Sequence, residues 1–227
     1  MSDPFAACED DVRRRDPDRY FAALFAPEKK RRHLFALYAF YRELAHAVDA
    51  AREPMIVDIR LAWWRETLEG ARAGRPRDHH VAQAVRETFA ENDLPAELFA
   101  RMIEARATEA GAEPFPDTAA AEDHADATSG ALMRLAARIL GAEADDLARE
   151  AGIAYALAGR SGGRYTSIDT PGLAQSHYDA ARKLPMPRES LPAFLPAALV
   201  PLYLKRTDPP LWRKQLSMLR AAMRGRI

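Results

Sequence analysis

The sequence Glu-Asp-His-Ala-Asp at residues 122–126 contains four side chains that can ligate a metal ion: Glu122, Asp123, His124 and Asp126. Glu122 and Asp126 are four residues apart, so they would be neighbours on one face of a helix and could share one ion. Acidic side chains also stabilise the first turn of a helix, where they meet the positive end of its dipole. We favour the second interpretation, in which these residues cap a helix that begins near residue 117.

A second group of chemically competent side chains follows the spacing of a single helix face. Four residues occupy its positions i, i+4, i+7 and i+11: Tyr38, Arg42, Ala45 and Asp49. Arg42 could bind an anion, because guanidinium matches phosphate geometry, or it could form an internal ion pair. Asp49 could be a remnant of a metal site, or an acid at the helix end paired with Arg42 or Arg52. His46 can ligate a metal, whereas Ala45 cannot.

Other residues with chemical potential have simpler structural explanations. Tyr38 and Tyr41 could line a cavity, but aromatic residues at helical spacing more often form a core, and we favour the core interpretation. His79 and His80 are interpreted as part of a solvated loop, because no second pair of metal ligands stands nearby in the sequence. Cys8 has no base beside it in the sequence, so we assign it no reactivity.

The elements that must position these residues are predicted to be helices. Ala and Leu are abundant whereas Val and Ile are few, and this composition favours helix over strand. Apolar periodicity, proline and glycine predict nine helices, at about residues 18–25, 28–50, 54–70, 81–89, 95–110, 117–140, 144–160, 190–204 and 210–224. Residues 161–187 are punctuated by Gly, Ser and Pro and are predicted to be irregular. The chain is therefore predicted to be a single all-α domain, a helical bundle spanning residues 1–227.

Composition and charge exclude several classes of protein. The chain has 33 basic and 33 acidic residues, so no charge excess points to nucleic acid as a partner. The N-terminal sequence MSDPFAACEDDVRRRD lacks a continuous apolar core and is not a secretory signal. No apolar run reaches the roughly eighteen residues that would indicate a membrane-spanning helix. A lone cysteine fits a reducing compartment.

Three segments carry a resemblance to a known family. Residues 16–68 read DPDRYFAALFAPEKKRRHLFALYAFYRELAHAVDAAREPMIVDIRLAWWRETL, residues 127–141 read ATSGALMRLAARILG, and residues 151–159 read AGIAYALAG. The first resembles the N-terminal helices of the squalene/phytoene synthase family, of the types LxALYAFxR and RLxWW. The second resembles the family helix whose small residues pack beneath an isoprenoid tunnel. The resemblance is strongest over residues 16–160, and residues 192–227 resemble the tail of a branch that includes respiratory complex I assembly factors.

This resemblance implies an isoprenoid-synthase fold, in which two helices face each other across a cavity. In active members each of these helices offers carboxylates to Mg²⁺, and the metal holds a prenyl diphosphate. The metal is needed because diphosphate leaves only if its developing charge is neutralised. The resemblance therefore directs attention to residues that could line the cavity or contact a ligand: Tyr38, Tyr41, Arg42, His46, Asp49, Leu132, Tyr155 and Arg160.

The chain departs from the family at both carboxylate motifs. The first motif requires Asp four residues before Asp49, often with another beside it, and these positions hold Ala45 and His46. The second motif would fall near residues 163 and 167, and the first acid there is Asp169, beyond a glycine break. The sequence thus predicts no two-sided metal chelation. The remaining candidates for metal ligation are Asp49, Glu122 and Asp126.

The C-terminal stretch, residues 190–227, is predicted to form two basic helices. Four apolar residues can share one face of the last helix: Leu211, Leu216, Leu219 and Met223. Five basic residues lie elsewhere on it or beyond it: Arg213, Lys214, Arg220, Arg224 and Arg226. Such a helix can lie on an anionic membrane or dock to an acidic partner. The same pattern describes a terminal core helix with a solvated basic face, which is the interpretation we favour.

Together these features predict a pseudoenzyme, a non-catalytic relative that acts by binding in respiratory complex I assembly at a membrane surface. One alternative is an active prenyltransferase that condenses isoprenoid diphosphates in terpenoid biosynthesis, and another is an isoprenoid- or lipid-binding protein. Only the prenyltransferase would need a cofactor, Mg²⁺. The expected partners are a membrane surface, a respiratory-complex subunit, or an isoprenoid or lipid, and not nucleic acid. The expected location is cytoplasmic and peripheral at the inner membrane, or the mitochondrial matrix in a eukaryote.

Overall fold

The computed structural model describes residues 3–51, 53–111, 113–160 and 163–227. Within these ranges every regular element is a helix and no strand occurs, which confirms the predicted all-α class. The chain forms two compact units, Met1–Gly111 and Ala112–Ile227. The assignment of the whole chain to one domain stays a prediction.

The first unit contains six α-helices in its described residues: α1 (Pro4–Arg15), α2 (Pro17–Ala23), α3 (Glu28–Asp49), α4 (Pro54–Arg72), α5 (His80–Glu91) and α6 (Ala96–Ala107). Helix α3 packs against each of the other five. It buries apolar side chains around most of its circumference, among them Leu34, Phe35, Leu37, Phe40 and Leu44. A helix that is apolar on nearly all sides must be surrounded by other elements, so α3 is the core helix of this unit.

Helix α1 is missing from the sequence prediction, whose first helix begins at about residue 18. Its start is well specified, because the side chain of Asp3 accepts a hydrogen bond from the Phe5 N–H at 3.0 Å and Pro4 occupies the first turn. Its buried face consists of Phe5, Cys8 and Val12 alone. Three apolar residues among many charges are too sparse a pattern to distinguish a packed helix from an exposed segment.

His33 is a buried polar residue in the core of the first unit. It is 1% exposed, and its Nδ1 and Nε2 atoms contact Thr88 Oγ1 at 3.0 Å and Glu91 Oε2 at 3.1 Å. Burial lowers the pKa of His33, an effect opposed by the hydrogen bond and charge of Glu91 and reinforced by the charges of Arg32 and Lys30. The ring is therefore held neutral more strongly in the folded protein than in the unfolded chain.

The second unit contains seven α-helices in its described residues: α7 (Thr118–Ala125), α8 (Ala131–Ile139), α9 (Asp145–Leu157), α10 (Thr170–Ala181), α11 (Leu191–Phe194), α12 (Val200–Tyr203) and α13 (Leu211–Arg224). A π-helical turn, Asp126–Gly130, joins α7 to α8, so the helix predicted over 117–140 is present but locally widened. The predicted helices near 144–160 and 210–224 correspond to α9 and α13.

Helix α9 crosses the π-helical turn so closely that the crossing requires glycine. A Cβ atom on Gly152 would lie 2.5 Å from both the Cα and the N atom of Gly130. These are backbone atoms, which cannot move aside as a flexible side chain can. The two backbones are therefore in direct contact, and this contact determines how α9 lies against the turn.

The segment predicted to be irregular, residues 161–187, contains helix α10, and this part of the prediction is corrected. The side chain of Asp169 accepts a hydrogen bond from the Gly172 N–H at 3.1 Å, and Pro171 occupies the first turn. The residues that resembled loop signals are thus helix-start signals. One face of α10 is buried in a cluster shared with α9, through Ala174 and Tyr178. Residues 161 and 162, the centre of the expected glycine break, lie outside the described ranges.

The helix predicted over residues 190–204 is a succession of short turns. Helices α11 and α12 flank a 3₁₀ segment, Leu195–Leu199, and a proline stands in the first turn of each of these three elements. These prolines are Pro192, Pro196 and Pro201. Proline has no amide hydrogen to continue a helix. Each proline therefore interrupts the helical hydrogen bonds, and a new short element begins there. The segment still forms core, since Phe194 and Leu195 are fully buried.

The contact between α9 and the π-helical turn predicts the effect of Gly152→Ala. Ala normally stabilises a helix interior by about 1 kcal/mol relative to Gly, but here the added methyl group would meet backbone atoms. We expect the free energy of unfolding to fall by about 1–3 kcal/mol through overpacking, measured by urea denaturation. Arg149→Ala on the same helix serves as the control and should change it by less than about 0.5 kcal/mol. A stabilised Gly152→Ala protein would contradict this packing.

The neutral buried His33 predicts how stability depends on pH. Because its pKa is lowered by folding, the unfolded chain takes up a proton first as the pH falls below about 6.5. The free energy of unfolding should therefore decrease as the pH falls from about 7.5 to about 5.5, measured by urea denaturation at several pH values. His33→Gln should make that dependence shallower. An unchanged slope in His33→Gln would show that His33 is not the titrating group.

Candidate functional site

Tyr38 and Tyr41, two of the predicted cavity candidates, lie in the core of the first unit. Tyr38 is 1% exposed, and burial raises the pKa of its hydroxyl well above the usual value. The ring of Tyr41 is contacted by two guanidinium groups, those of Arg19 and Arg106, each with its Cζ atom 4.9 Å from the ring centroid. Both tyrosines thus act in packing within this unit.

The two arginines on Tyr41 are each paired with an acid. Arg19 Nη1 lies 2.7 Å from Asp16 Oδ2, with both side chains under 10% exposed, and Arg106 Nη1 lies 2.8 Å from Glu109 Oε1. Buried charges require such partners, so this group is a structural junction of α2, α3 and α6. Sequence reasoning missed it, although the i, i+3 spacing of Asp16 and Arg19 was a usable signal.

The polar residues at the end of α3 form no ion pair with one another in the described part of the chain. Asp49 is exposed, and among the described residues no ion pair joins it to Arg42. The other suggested partner, Arg52, lies outside the described ranges. Arg42 Nε is buried and has no hydrogen-bond partner within the described chain. The suggested pairing of Asp49 with Arg42 is therefore absent from the described part of the structure.

His46 lines a hollow of about 320 Å³ between α3 and α4. Glu43, Trp63 and His79 also line it. The rings of Trp63 and His79 pack edge-to-face, with centroids 5.7 Å apart. Burial, followed by the charge of His80, lowers the pKa of His79. The hollow is thus mainly aromatic, with ionisable groups at its edge, and nothing in it corresponds to a carboxylate pair.

The first unit does not fit the Mg²⁺ ions that the family resemblance implies. Mg²⁺ prefers oxygen ligands in octahedral geometry, and α3 offers Ala45 and His46 where the first motif needs carboxylates. Asp49 is the single carboxylate left at that motif. In the part of the chain that the structure describes, no three His, Cys, Asp or Glu side chains form a group that could hold a metal ion.

In the second unit the candidate metal ligands Glu122 and Asp126 are bound to basic side chains. Asp126 is 7% exposed and its Oδ1 atom lies 2.8 Å from Arg134 Nη1. Glu122 Oε1 lies 3.2 Å from His177 Nε2, and the other ring nitrogen of His177 is 2.6 Å from Glu150 Oε2. These pairs join α7, α8, α9 and α10. Sequence reasoning could not find them, because their partners come from other turns or helices.

The remaining cavity candidates differ from one another in how deeply they are buried. Leu132 is fully buried in α8. Tyr155 is half-buried in α9, and its ring packs edge-to-face with that of Tyr203 at 6.2 Å. Arg160 is exposed, and its backbone carbonyl accepts a hydrogen bond from the Thr170 hydroxyl. Near the expected second motif, the one nearby acid, Asp169, is used as the N-cap of α10.

A basic pocket of about 280 Å³ lies among α10, the 3₁₀ segment and α13 of the second unit. Its polar lining consists of Tyr178, Arg182, Ser217, Arg220, Arg224 and Arg226. The Ser217 hydroxyl donates to the Ala198 carbonyl at 2.9 Å and ties α13 to the 3₁₀ segment. Three of the five residues predicted as a membrane or partner surface therefore meet in one concavity, together with Arg182, which sequence reasoning missed.

Helix α13 has little buried surface and an exposed apolar stripe. Only Met218 and Ala221 are buried among its residues. Trp212, Leu219 and Met223 are 59%, 45% and 72% exposed, and their spacing places them on one side of the helix. The structure thus departs from the favoured interpretation that the apolar residues of this helix face a core. No helix in the described ranges is long and apolar enough to cross a membrane.

Comparison with known proteins supports the resemblance noted in the sequence. The squalene/phytoene synthase family profile matches residues 12–160. A solved structure of a dehydrosqualene synthase in complex with ligand superposes with a TM-score of 0.74 at 15% sequence identity, over 97% of this chain and 96% of that one. At this identity the likeness concerns the fold alone.

Two similar relatives carry the name NADH dehydrogenase (ubiquinone) complex I, assembly factor 6. The protein from Homo sapiens is 27% identical over 134 residues, which are 59% of this chain and 40% of that protein. The protein from Rattus norvegicus is 27% identical over 141 residues, or 62% of this chain and 42% of that protein. The chain therefore spans about two-fifths of the length of these relatives. The family profile covers more than half of the chain, and the fold is shared with a solved dehydrosqualene synthase. This protein therefore belongs to the squalene/phytoene synthase family.

Proposed function

We propose that this protein acts by binding in the assembly of respiratory complex I and does not transfer prenyl groups. The named role of its similar relatives, complex I assembly factor 6, supports this proposal. Because the matched region is about two-fifths of those proteins, the role is inferred from a shared part and not from the whole. Within complex I assembly, the protein would present its folded surface to a respiratory-complex subunit.

The observation that carries the non-catalytic part is the state of the carboxylates. Prenyl transfer in this family depends on paired carboxylates that hold Mg²⁺ against a diphosphate. Here one motif keeps Asp49 alone. The other two candidate ligands have partners, since Asp126 pairs with Arg134 and Glu122 contacts His177. A carboxylate whose oxygen lies 2.8 Å from an arginine nitrogen is a poor ligand for a metal ion, because its charge is already paired.

The location that fits this proposal is the surface of the inner membrane, on the cytoplasmic side in a bacterium or the matrix side in a mitochondrion. The exposed apolar stripe of α13 beside basic side chains supports it, because such helices lie in the membrane–water interface. Trp212 is well suited to that position, since its ring is amphipathic. The helix would attach the protein to the membrane without crossing it.

The first prediction from this proposal concerns catalysis. Purified protein supplied with Mg²⁺ and farnesyl or geranylgeranyl diphosphate should form no condensation product, because the metal cannot be held from two sides. Product formation by liquid chromatography and mass spectrometry is the measurement, with an active family member as the positive control. Turnover that disappears in Asp49→Ala would reject the proposal and favour the prenyltransferase alternative.

The second prediction concerns assembly in the cell. Disruption of the gene in its source organism should reduce the amount of assembled complex I, measured by native gel electrophoresis with an in-gel NADH dehydrogenase stain. Wild-type protein and Asp49→Ala should restore it equally, because the exposed Asp49 serves no metal in this proposal. Complex I at its normal level after disruption would contradict a role in assembly. Restoration by wild type alone would instead indicate that Asp49 retains a function.

A further inference from the structure

The basic pocket of the second unit brings four arginines together from separate parts of the chain. Arg182 ends α10, Arg220 and Arg224 are one turn apart on α13, and Arg226 follows that helix. All four are exposed. Among the described residues, none of the four forms an ion pair with an acidic side chain. This contrasts with Arg19, Arg106 and Arg134, each of which is paired.

These four arginines are therefore not paired with any acidic side chain of the described chain. No Asp or Glu occurs in residues 209–227, and the acid nearest in sequence to Arg182, Asp179, makes no ion pair with it in the described chain. Like charges gathered around one concavity repel each other, and a bound anion removes that repulsion. Guanidinium groups present planar pairs of N–H donors that match the oxygens of a phosphate. The pocket is thus complementary to a phosphate group.

The turn at the end of α13 holds the pocket in shape. Gly225 has a φ of 64°, in the left-handed region that glycine adopts without strain. Its N–H donates to the Ala222 carbonyl and the N–H of Arg226 donates to the Ala221 carbonyl, both at 3.2 Å. This is the hydrogen-bond pattern of a helix C-cap. It turns the chain back, so that Ile227 is buried and Arg226 lies beside the arginines of the helix.

Tyr178 adds a neutral polar side chain to the lining. It is 8% exposed, and the Cζ atom of Arg182 lies 5.7 Å from its ring centroid. Burial raises the pKa of Tyr178, partly offset by the charge of Arg182. The hydroxyl therefore keeps its proton at neutral pH, and this side chain contributes no negative charge to the pocket.

An apolar surface lies next to these arginines on the same helix. Going around α13, Arg220 and Arg224 stand between the buried side, at Ala221, and the exposed stripe of Leu219 and Met223. An anion held in the pocket would have its remaining atoms beside exposed hydrocarbon. Inorganic phosphate would leave that stripe in water, whereas a phospholipid would cover it.

We propose that this pocket binds the headgroup phosphate of an anionic phospholipid, with the apolar stripe of α13 in contact with the lipid hydrocarbon at the membrane surface. The inference rests on the proposed binding role at a membrane and names the chemical partner of that surface. It does not depend on complex I. The arginines provide the charge and geometry, the C-cap at Gly225 fixes Arg226, and Trp212 and Met223 provide the apolar contact.

The test is co-sedimentation of the full chain with vesicles of phosphatidylcholine alone and of phosphatidylcholine mixed with phosphatidylglycerol. We expect binding to the mixed vesicles and little to the neutral ones. Arg220→Gln/Arg224→Gln should weaken binding to the mixed vesicles by about 30-fold, since each basic side chain near an anionic surface contributes about five-fold. The matched control Lys205→Gln/Arg206→Gln removes the same charge from an exposed place outside the pocket and should lose much less. Circular dichroism of each variant confirms that it is folded.

A second arm separates lipid from free phosphate and from an acidic protein. Calorimetric titration with pyrophosphate should show binding far weaker than that to vesicles, and Trp212→Ser should weaken vesicle binding while leaving pyrophosphate binding unchanged. Equal loss in the arginine pair and its control would reject the pocket, as would tight pyrophosphate binding without vesicle binding. No vesicle binding at all would also reject it and favour an acidic protein partner. If vesicle binding fails while gene disruption still removes complex I, the inference falls and the assembly role stands.

Discussion

The second unit depends on the direct contact between the backbone of α9 at Gly152 and the π-helical turn at Gly130. A side chain at Gly152 would meet the backbone of Gly130, whereas a side chain at Gly130 would meet the carboxylate of Asp126 within its own turn. Helix α9 in turn carries the apolar surface on which α10 packs, and α10 supplies Tyr178 and Arg182 to the basic pocket. The geometry of that pocket is therefore linked to a glycine pair elsewhere in the same unit. Close backbone packing of this kind tolerates little change in volume.

Charge is handled in opposite ways in different parts of the molecule. Inside the units, Asp16 is paired with Arg19 and Asp126 with Arg134. Pairing offsets the cost of removing a charge from water, and it also occupies Asp126, one of the candidate metal ligands predicted from the sequence. In the basic pocket the arginines face solvent without acidic partners. The first arrangement serves stability, and the second leaves charge available for a ligand.

The chain keeps the fold of its family. The isoprenoid-synthase fold requires helices and close packing, which this chain retains at 15% identity to a dehydrosqualene synthase. Prenyl transfer requires in addition carboxylates directed at metal ions, and Ala45 stands where one is needed. Fold and chemistry can separate in this way because they depend on different residues.

Much of the fold could be read from the sequence because it depends on local patterns. The apolar spacing of α3 and the helix start at Pro54 are properties of neighbouring residues. The prediction failed where local signals were ambiguous. Asp169 and Pro171 occur in loops as well as at helix starts, and only the buried face of α10 shows that they begin a helix. Helix α1 buries only three residues among many charged ones, so its apolar pattern is weak.

The sequence by itself determined the all-α class and the family, because each of these is a matter of residue type at fixed spacing. Only the tertiary structure decided the partners of the charged side chains. Asp126 and Glu122 looked like metal ligands four residues apart, but Arg134 and His177 reach them from another turn and another helix. Likewise, Arg182 joins the C-terminal arginines only through packing. Contacts between distant segments follow from the fold as a whole, and no local pattern encodes them.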